Sequence, residues 1–386
     1  MLKWQRMRRR RAVWLSAFAG AALVAGSLLS LGSTAQAAGP AGPPPAAGTL
    51  PCNLYGAAGT PCAGAYSTIR ALYTAYKGPL YQVTRVSDNT ARNIGPLWPG
   101  GLAAASAQDA FCAGTSCTIT KIYDQSPRHN DLTIEGPGPY SGFRGVPDVG
   151  SPADALPVYI HGHKAYGVKI STFTSYRDDQ ATGVAVNGQP EGMYMVTSST
   201  YVNGRCCFDF GNAETHNNDA GNGHMDAVNF STRCVRFSPC YGDGPWVQAD
   251  LENGLFQSDL GYSKDPSNTG LTVPFVTALL KNNGQNYFAL KAGNAQSGCL
   301  TTNYAGPLPT IQGGGYSPMQ QEGAIVLGTG GDNSNQGIGY FYEGVMTAGL
   351  PKDSADNAVQ ADIVRAGYGS QGPGYPAPGP GPNCAP

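Results

Sequence analysis

The chain has 386 residues, with 24 lysines and arginines against 25 aspartates and glutamates, and only 13% of its residues are charged. Residues 1–37 carry six basic and no acidic side chains, so without them the formal net charge moves from −1 to −7 (−1 − 6). A mildly acidic protein is a poor ligand for nucleic acid or anionic membranes. The composition therefore favours a neutral partner such as a polysaccharide.

Residues 1–37 have the layout of a cleaved signal peptide. A basic segment at 3–11 precedes an apolar run at 12–31, and the small-residue site AQA stands at 35–37. The apolar run approaches transmembrane length, so an uncleaved anchor is the alternative. Because the AQA site favours cleavage, we expect a secreted, extracellular protein with no membrane attachment after cleavage.

The remaining sequence predicts one domain between two extended segments. Residues 38–50 (AGPAGPPPAAGTL) form a Pro/Gly/Ala linker, and residues 369–386 form a second Pro/Gly-rich tail. Residues 51–368 contain no break of that kind and fit a single β-rich catalytic domain. We expect this protein to act as a monomer.

Predicted helices are few, at 67–76 with Ser67 as the N-cap, at 106–112, and at 354–367, where a glycine follows apolar residues at helical spacing. The predicted strands are 117–123, 193–199, 274–280, 287–292, 324–328 and 340–347. Short strands joined by turns rich in glycine, of which the chain has 54, favour a two-sheet β-sandwich over alternating βαβ units.

All ten cysteines follow the leader, an even number in an oxidising compartment, which indicates disulfides. Their spacing suggests the pairs Cys52–Cys62, Cys112–Cys117 and Cys234–Cys240, and Cys299–Cys384 follows by elimination. The adjacent Cys206 and Cys207 either pair with each other or bond elsewhere. Zinc is the alternative for a cysteine-rich chain, but no Cys-x2-Cys pair recurs. We therefore expect no metal and no cofactor.

Three segments place acids beside glycine or asparagine: GNAETH with Glu214, ADLENG with Asp250 and Glu252, and GTGGDNSN with Asp332. Glycoside cleavage requires two carboxyl groups, one as proton donor and one as nucleophile or base. On a strand, Asp250 and Glu252 at i and i+2 would share one face while Leu251 turns into the core. The alternatives are a solvated strand edge followed by an Asn-Gly turn, and a plain surface turn at Asp332.

These segments, together with others along the chain, match the motifs of a known family. Between about residues 51 and 368 the chain resembles the catalytic domains of glycoside hydrolase family 54, the α-L-arabinofuranosidase B enzymes. The motifs that carry the resemblance include RALYTAYKGPLYQVTR, NGRCCFDFGNAET, GPWVQADLENGLF, EGAIVLGTGGDNSN and FYEGVMTAG, in this order. The resemblance implies an all-β, concanavalin-like (jelly-roll) two-sheet sandwich. It also implies exo-hydrolysis of terminal arabinofuranosyl residues of arabinan or arabinoxylan with retention of configuration.

The resemblance also assigns roles to residues. Glu252 would be the nucleophile and Asp332 the general acid/base, at a separation of roughly 5–5.5 Å. Glu252 must then be ionised and Asp332 protonated near the working pH. The residues implied in sugar contact are Asp250, Asn253, Gly254, Gly331, and Cys206 with Cys207 as a vicinal disulfide floor.

Two departures from the family pattern leave alternatives open. The sequence ends without the arabinose-binding β-trefoil module that members commonly append, so weaker binding to insoluble arabinoxylan is expected. The segment STRCVRFSPCYGD, which starts at Ser231, lacks a tryptophan that the family places beside the site. The alternatives are a hydrolase of altered furanoside or xyloside specificity, and a non-catalytic lectin on the same fold that would keep Asp250 but not need both Glu252 and Asp332.

Overall fold

A computed structural model describes residues 50–139, 146–233, 244–309 and 319–370, together with Cys384. Its helices are α1 (Pro51–Ala57), α2 (Ala105–Phe111) and α3 (Asp353–Ala366). The sequence encodes α3 well, because Asp353 and Asp356 lie in its first turn and Gly367 ends it at φ 76°. The predicted helices at 106–112 and 354–367 are confirmed. Within the described ranges no helix is both long and apolar enough to cross a bilayer.

The predicted helix at 67–76 is wrong. Ser67 is the last residue of strand β1 (Cys62–Ser67), and its Oγ accepts hydrogen bonds from the backbone N–H groups of Ile69 and Arg70, both at 3.1 Å. A serine can cap a turn in this way without starting a helix. Arg70 then enters buried ion pairs, which holds the following residues in an irregular path.

One sheet has six antiparallel strands. In spatial order they are β1, β20 (Glu343–Ala348), β10 (Glu191–Thr197), β15 (Val276–Asn282), β16 (Tyr287–Asn294) and β17 (Ser297–Pro307). The predicted strand at 340–347 is divided at Tyr342, whose backbone N–H donates to the carbonyl of Val196. Its first part is β19 (Gly339–Phe341), which pairs with β8 (Val168–Ile170).

The second sheet has ten strands. In spatial order they are β14 (Leu255–Phe256), β13 (Trp246–Asp250), β12 (Asp226–Ser231), β11 (Asp209–Ala213), β18 (Ala324–Leu327), β9 (Tyr176–Asp178), β5 (Leu132–Ile134), β4 (Cys117–Ile122), β2 (Tyr81–Arg85) and β3 (Ala91–Ile94). A separate hairpin joins β6 (Pro157–Ile160) to β7 (His163–Tyr166). The other predicted strands match β4, β10, β15, β16 and β18, with ends shifted by up to two residues.

The two sheets pack face to face, and the main core lies between them. Met193 and Met195 of β10 meet Phe210 of β11 and Val228 of β12 in one buried cluster. These residues alternate along their strands, which is the pattern of a sheet with one face toward a core. Helix α3 covers the other face of the six-stranded sheet through residues such as Ile363. The predicted two-sheet sandwich is confirmed.

The disulfides of the described residues join the cysteines that the sequence paired. Cys52–Cys62 fastens α1 to β1, and Cys112–Cys117 joins the end of α2 to β4. Cys299–Cys384 spans 85 residues and fastens the C-terminal tail to β17. Cys206 is bonded to Cys207. The predicted Cys234–Cys240 pair lies outside the described residues.

Candidate active site

A pocket opens beside the ends of β13, β11 and β18, which lie close together in the ten-stranded sheet. Its volume is about 330 Å³, at the small end of the range typical of ligand sites. The lining includes every residue that the sequence assigned to catalysis or sugar contact: Glu252, Asp332, Asp250, Asn253, Gly254, Gly331, Cys206 and Cys207. Other lining residues are Asp219, Met225, Arg233, Leu255, Gly330 and Ser334.

Glu252 stands in the tight connection between β13 and β14. Strand β13 ends at Asp250, and Leu251 is buried in the core as expected. Glu252 and Asn253 both have φ 59°, so they, and not Asn253 with Gly254, are the left-handed pair of the turn. Positive φ is uncommon for glutamate and is found where the surrounding structure enforces it, often at functional sites. Glu252 therefore reaches the pocket through the turn and not by strand alternation.

Asp250 supports this turn. Its Oδ1 accepts the backbone N–H of Glu252 at 3.1 Å, and its Oδ2 lies 3.5 Å from Cys207 Sγ. Both acids are nearly inaccessible, with 6% of Asp250 and 5% of Glu252 exposed. A solvated strand edge, the alternative interpretation of this segment, is therefore wrong.

Asp332 projects from the glycine-rich loop that follows β18. Its carboxylate accepts hydrogen bonds from the backbone N–H of Ser334, at 2.9 Å, and from the Ser334 hydroxyl. Gly331 is needed because a Cβ there would lie 1.7 Å from Oε2 of Glu214 and 3.3 Å from Oε2 of Glu252. The glycine thus permits the loop to touch both glutamates, and Asp332 remains partly exposed at the pocket.

The Cys206–Cys207 disulfide is fastened to the same loop. The N–H of Cys207 donates to the carbonyl of Ser334 at 2.8 Å, and the N–H of Gln336 donates to the carbonyl of Cys206 at 2.9 Å. A Cβ on Gly330 would lie 3.4 Å from Cys207 Sγ. The sulfurs and the Asp332 loop therefore form one continuous wall of the pocket.

Burial raises the carboxyl pKa values in this region, because removal from water penalises the charged form. The pKa of Asp250 rises to about 7, first through burial and then through the charge of Asp332. The pKa of Glu252 rises to about 11, first through burial and then through the charge of Glu214. Behind Asp250, the wholly buried Asp209 also has its pKa raised well above normal by burial and by Asp250.

Arg177 lies behind the acids. Its guanidinium donates to the carbonyl oxygens of Gly331, at 2.8 Å, and of Glu214, and pairs with Glu135 at 3.3 Å. The arginine therefore joins the Asp332 loop to the end of β11. Burial raises the pKa of Glu135 to about 7 in spite of this contact.

Two groups of side chains bring possible cation ligands within 4.8 Å of one another: Cys206, Cys207 and Asp250, and Glu214, Asp219 and Glu252. Metals bind thiolates, and the sulfurs of the first group are joined in a disulfide. The second group consists of carboxylates alone, a set that suits hard cations such as Ca²⁺.

Sequence reasoning missed part of this site. Glu214 was singled out as an acid but given no place beside Glu252. Asp209 alternates with Phe208 and Phe210, so its side chain points away from theirs, a signal that would have found it. The position of Arg177 behind the site could not be predicted from the local sequence, because β9 and β11 are brought together only through β18.

The sequence of this chain is similar to those of known proteins. The family described as "Alpha-L-arabinofuranosidase B, catalytic" matches residues 51–369. The chain is 54% identical over 325 residues to an α-L-arabinofuranosidase B of Emericella nidulans, covering 82% of this chain and 62% of the relative. It is 52% identical over 332 residues to a Trichoderma koningii protein named arabinofuranosidase/β-xylosidase, covering 84% and 64%. The chain thus spans less than two thirds of these relatives' length.

Solved structures of the same family are also similar to this chain. An arabinofuranosidase in complex with arabinofuranosyl-α-1,2-xylobiose matches with a TM-score of 0.79 and 46% identity, covering 83% of this chain and 65% of that one. A family 54 glutamate-to-glutamine variant soaked with 4-nitrophenyl α-L-arabinofuranoside matches with the same TM-score and identity, over 83% and 66%.

Proposed function

This chain belongs to the α-L-arabinofuranosidase B catalytic family, and on that premise we propose that it is an exo-acting α-L-arabinofuranosidase. It removes terminal non-reducing arabinofuranosyl residues from arabinan or arabinoxylan and retains the anomeric configuration. The observation that carries this proposal is that Glu252 and Asp332 line one small pocket. Glycosidic cleavage requires such a pair of carboxyl groups.

The reaction takes two steps. The carboxylate of Glu252 attacks the anomeric carbon, the bond to the leaving oxygen breaks, and that oxygen takes the proton of Asp332. The Asp332 carboxylate then removes a proton from water, whose oxygen displaces Glu252 from the glycosyl ester. Each step inverts the anomeric carbon, so the product has the configuration of the substrate.

The other lining residues hold the sugar. Asp250 accepts hydrogen bonds from its hydroxyl groups, and Asn253 and the backbone at Gly254 and Gly331 fix its orientation. The Cys206–Cys207 sulfurs offer a flat apolar floor to one face of the ring. The small pocket volume suits a single terminal furanose, which supports exo action.

Related proteins support the substrate class. One related structure contains arabinofuranosyl-α-1,2-xylobiose, an arabinose side chain on a xylan fragment. Another relative is named arabinofuranosidase/β-xylosidase, which favours β-xylosides as the second candidate substrate. The basic and apolar leader, together with the disulfides, supports secretion.

The main test is a panel of 4-nitrophenyl glycosides, with product stereochemistry followed by NMR. We expect the α-L-arabinofuranoside to be cleaved fastest and the first-formed arabinose to be the α anomer. Faster cleavage of the β-xyloside would change the substrate assignment, and a first-formed β anomer would exclude retention. Arabinose binding without turnover of any glycoside would identify a lectin.

A variant tests the nucleophile. Glu252→Ala is expected to abolish turnover, and azide is expected to restore part of it with formation of the β-configured glycosyl azide. Asp88→Ala removes an exposed carboxylate far from the pocket and is the matched control, with full activity expected. Normal turnover by Glu252→Ala would end the assignment.

A further inference from the structure

Glu214 is a buried acid beside the proposed nucleophile, and the reaction described above gives it no role. It follows β11, and its side chain is fully inaccessible. Its Oε1 accepts the backbone N–H of Ala220 at a long 3.4 Å. Its Oε2 is buried without a hydrogen-bond donor among the described residues. A buried carboxylate oxygen without a donor is costly, so its neighbours must supply one.

Other carboxylates lie close to Glu214. Oxygens of Glu214, Asp219 and Glu252 lie within 4.8 Å of one another. Oε2 of Glu214 and Oε2 of Glu252 both approach the same side of Gly331. Two carboxylates side by side in a buried site cannot both remain ionised, and one proton between them supplies the missing hydrogen bond.

The surrounding charges favour retention of that proton. Asp219, Asp250 and Asp332 face the pair from the pocket and are acidic. Arg177 and Arg233 are the nearby cations. Arg177 is directed to the main-chain carbonyls of Glu214 and Gly331, to Glu135 and to Asp179, and Arg233 lines the pocket. Burial is the main cause of the raised pKa of both Glu214 and Glu252. The hydrogen bond between them raises the pKa of Glu252 further and lowers that of Glu214, so the two glutamates compete for one proton.

We propose that Glu214 is a positioning residue that shares one proton with Glu252, takes it up when Glu252 acts as nucleophile, and then donates it as a hydrogen bond to the carboxylate of Glu252. The inference rests on the proposed function of Glu252 as nucleophile. It resolves a conflict, because a nucleophile must be ionised and the pocket disfavours a second charge. The proton stays on Glu214 while Glu252 attacks the anomeric carbon, and the proton that the leaving oxygen receives still comes from Asp332.

Two substitutions of similar volume separate a hydrogen-bond donor from a filler. Glu214→Gln keeps an N–H donor toward Glu252, whereas Glu214→Met does not. We expect kcat/KM of Glu214→Gln on the aryl arabinofuranoside to stay within about fivefold of wild type, with an unchanged acid limb of its pH profile. Loss of a donor raises the pKa of a buried carboxylate, so Glu214→Met should shift the acid limb upward by about one pH unit, equivalent to tenfold in activity on that limb.

Other outcomes overturn the proposal. If Glu214 is an ionised bystander, both variants remove a negative charge and shift the acid limb to lower pH. If Glu214 only fills space, both variants, which have a similar volume, keep the thermal stability of wild type and leave the acid limb unchanged.

A second measurement does not depend on turnover. Wild type should lose stability between pH 5 and 9 more steeply than Glu214→Gln, because the native pair holds a proton that the unfolded chain releases. Inactive wild type with this difference in slope would refute the proposed function alone. Active wild type with equal slopes would refute the role of Glu214 alone.

Discussion

Two regions of the molecule bury carboxylates, and they neutralise them differently. Beneath α3, Glu343 forms a two-point ion pair with Arg70 at 2.6 and 2.8 Å, and Asp362 accepts the remaining guanidinium nitrogen at 2.8 Å. Nearby, Asp356 lies 2.7 Å from the ammonium of Lys281. Every one of these acids has a cation as its direct partner.

Around the pocket, acids face acids. Asp209 lies behind Asp250, and Glu214 lies beside Glu252, and burial is the main cause of the raised pKa of each. The guanidinium of Arg177 meets main-chain carbonyl oxygens here. Shared protons therefore contribute to the charge balance of this region, together with Arg233 at the pocket.

The two ways of neutralising buried acids fit different roles. In the first region burial also raises the pKa of Asp356 and Asp362, but the neighbouring cations oppose that rise, and the ion pairs fasten α3 to the sheet. Acids that share protons can change charge during a reaction, and the fold gives up stability to keep them together. Perturbed acids of the second kind are typical of functional sites.

Removal of Arg70 should have the strongest effect, because it breaks the buried ion pairs beneath α3. Arg70→Met leaves Glu343 and Asp362 buried without their partner, and loss of one member of a buried pair costs about 3–5 kcal/mol of unfolding free energy. The activity of the protein that remains folded should be unchanged, since Arg70 does not line the pocket. Urea unfolding together with active-site titration measures both quantities.

The matched control is Arg85→Met. Arg85 pairs with Asp88 at 2.6 Å, but the two side chains are 30% and 46% exposed, so we expect a loss of at most about 1 kcal/mol. Equal losses in the two variants would contradict the assigned difference between buried and exposed pairs.

A methyl group added beside the buried acids of the pocket should have a smaller effect on stability. Gly331→Ala places a methyl group 1.7 Å from Oε2 of Glu214, so the loop or the glutamate must move, at about 1–3 kcal/mol for an overpacked site. We expect kcat to fall by at least tenfold, because the displaced groups lie beside Glu252, the proposed nucleophile. Thermal unfolding and steady-state kinetics check this.

Gly56→Ala is the control for that substitution. Gly56 lies in α1, where a new Cβ meets nothing within 4 Å, and alanine favours a helix. The variant should be as stable as wild type or slightly more stable, with unchanged kcat. Unchanged kcat in Gly331→Ala as well would show that the loop tolerates displacement.

Sequence reasoning reached the sandwich because alternating strands and α3 have strong local signals. It failed at Ser67, where a local cap pattern was outweighed by the burial of Arg70. It also expected Asp250 and Glu252 to share a face through strand alternation, whereas the strand ends at Asp250 and the turn at Glu252 and Asn253 directs the Glu252 side chain.

The partnership of acids in the pocket could not be predicted from local patterns. Asp209 reaches Asp250, and Glu214 reaches Glu252, because β11 and β13 lie on either side of β12, an arrangement fixed by long-range strand pairing. The family resemblance assigned the residues that contact sugar, but it gave no role to the acids behind them. Their role depends on burial and mutual distance, which are properties of the folded chain.

The pH dependence of stability should differ between the two regions, and this is the weakest of the effects expected. The raised pKa of Asp209 means that the native state holds a proton there, so its contribution to stability is full below pH 4 and declines as pH rises. Asp353, beside Lys281 and Lys291, has its pKa lowered to about 2, so its contribution is present above pH 4 and is lost as pH falls toward 2. Because Asp353 is largely exposed, that contribution is below about 1 kcal/mol.

Asparagine substitutions separate these two contributions. Asp209→Asn should flatten the decline of stability between pH 5 and 8 and leave the acid side unchanged, since an amide can still donate to Asp250. Asp353→Asn should do the reverse, with less loss between pH 4 and 2 and an unchanged neutral side. Urea unfolding at each pH measures both, and each variant is the control for the other. If both variants altered the same side of the profile, the two regions would not differ in how their acids are neutralised.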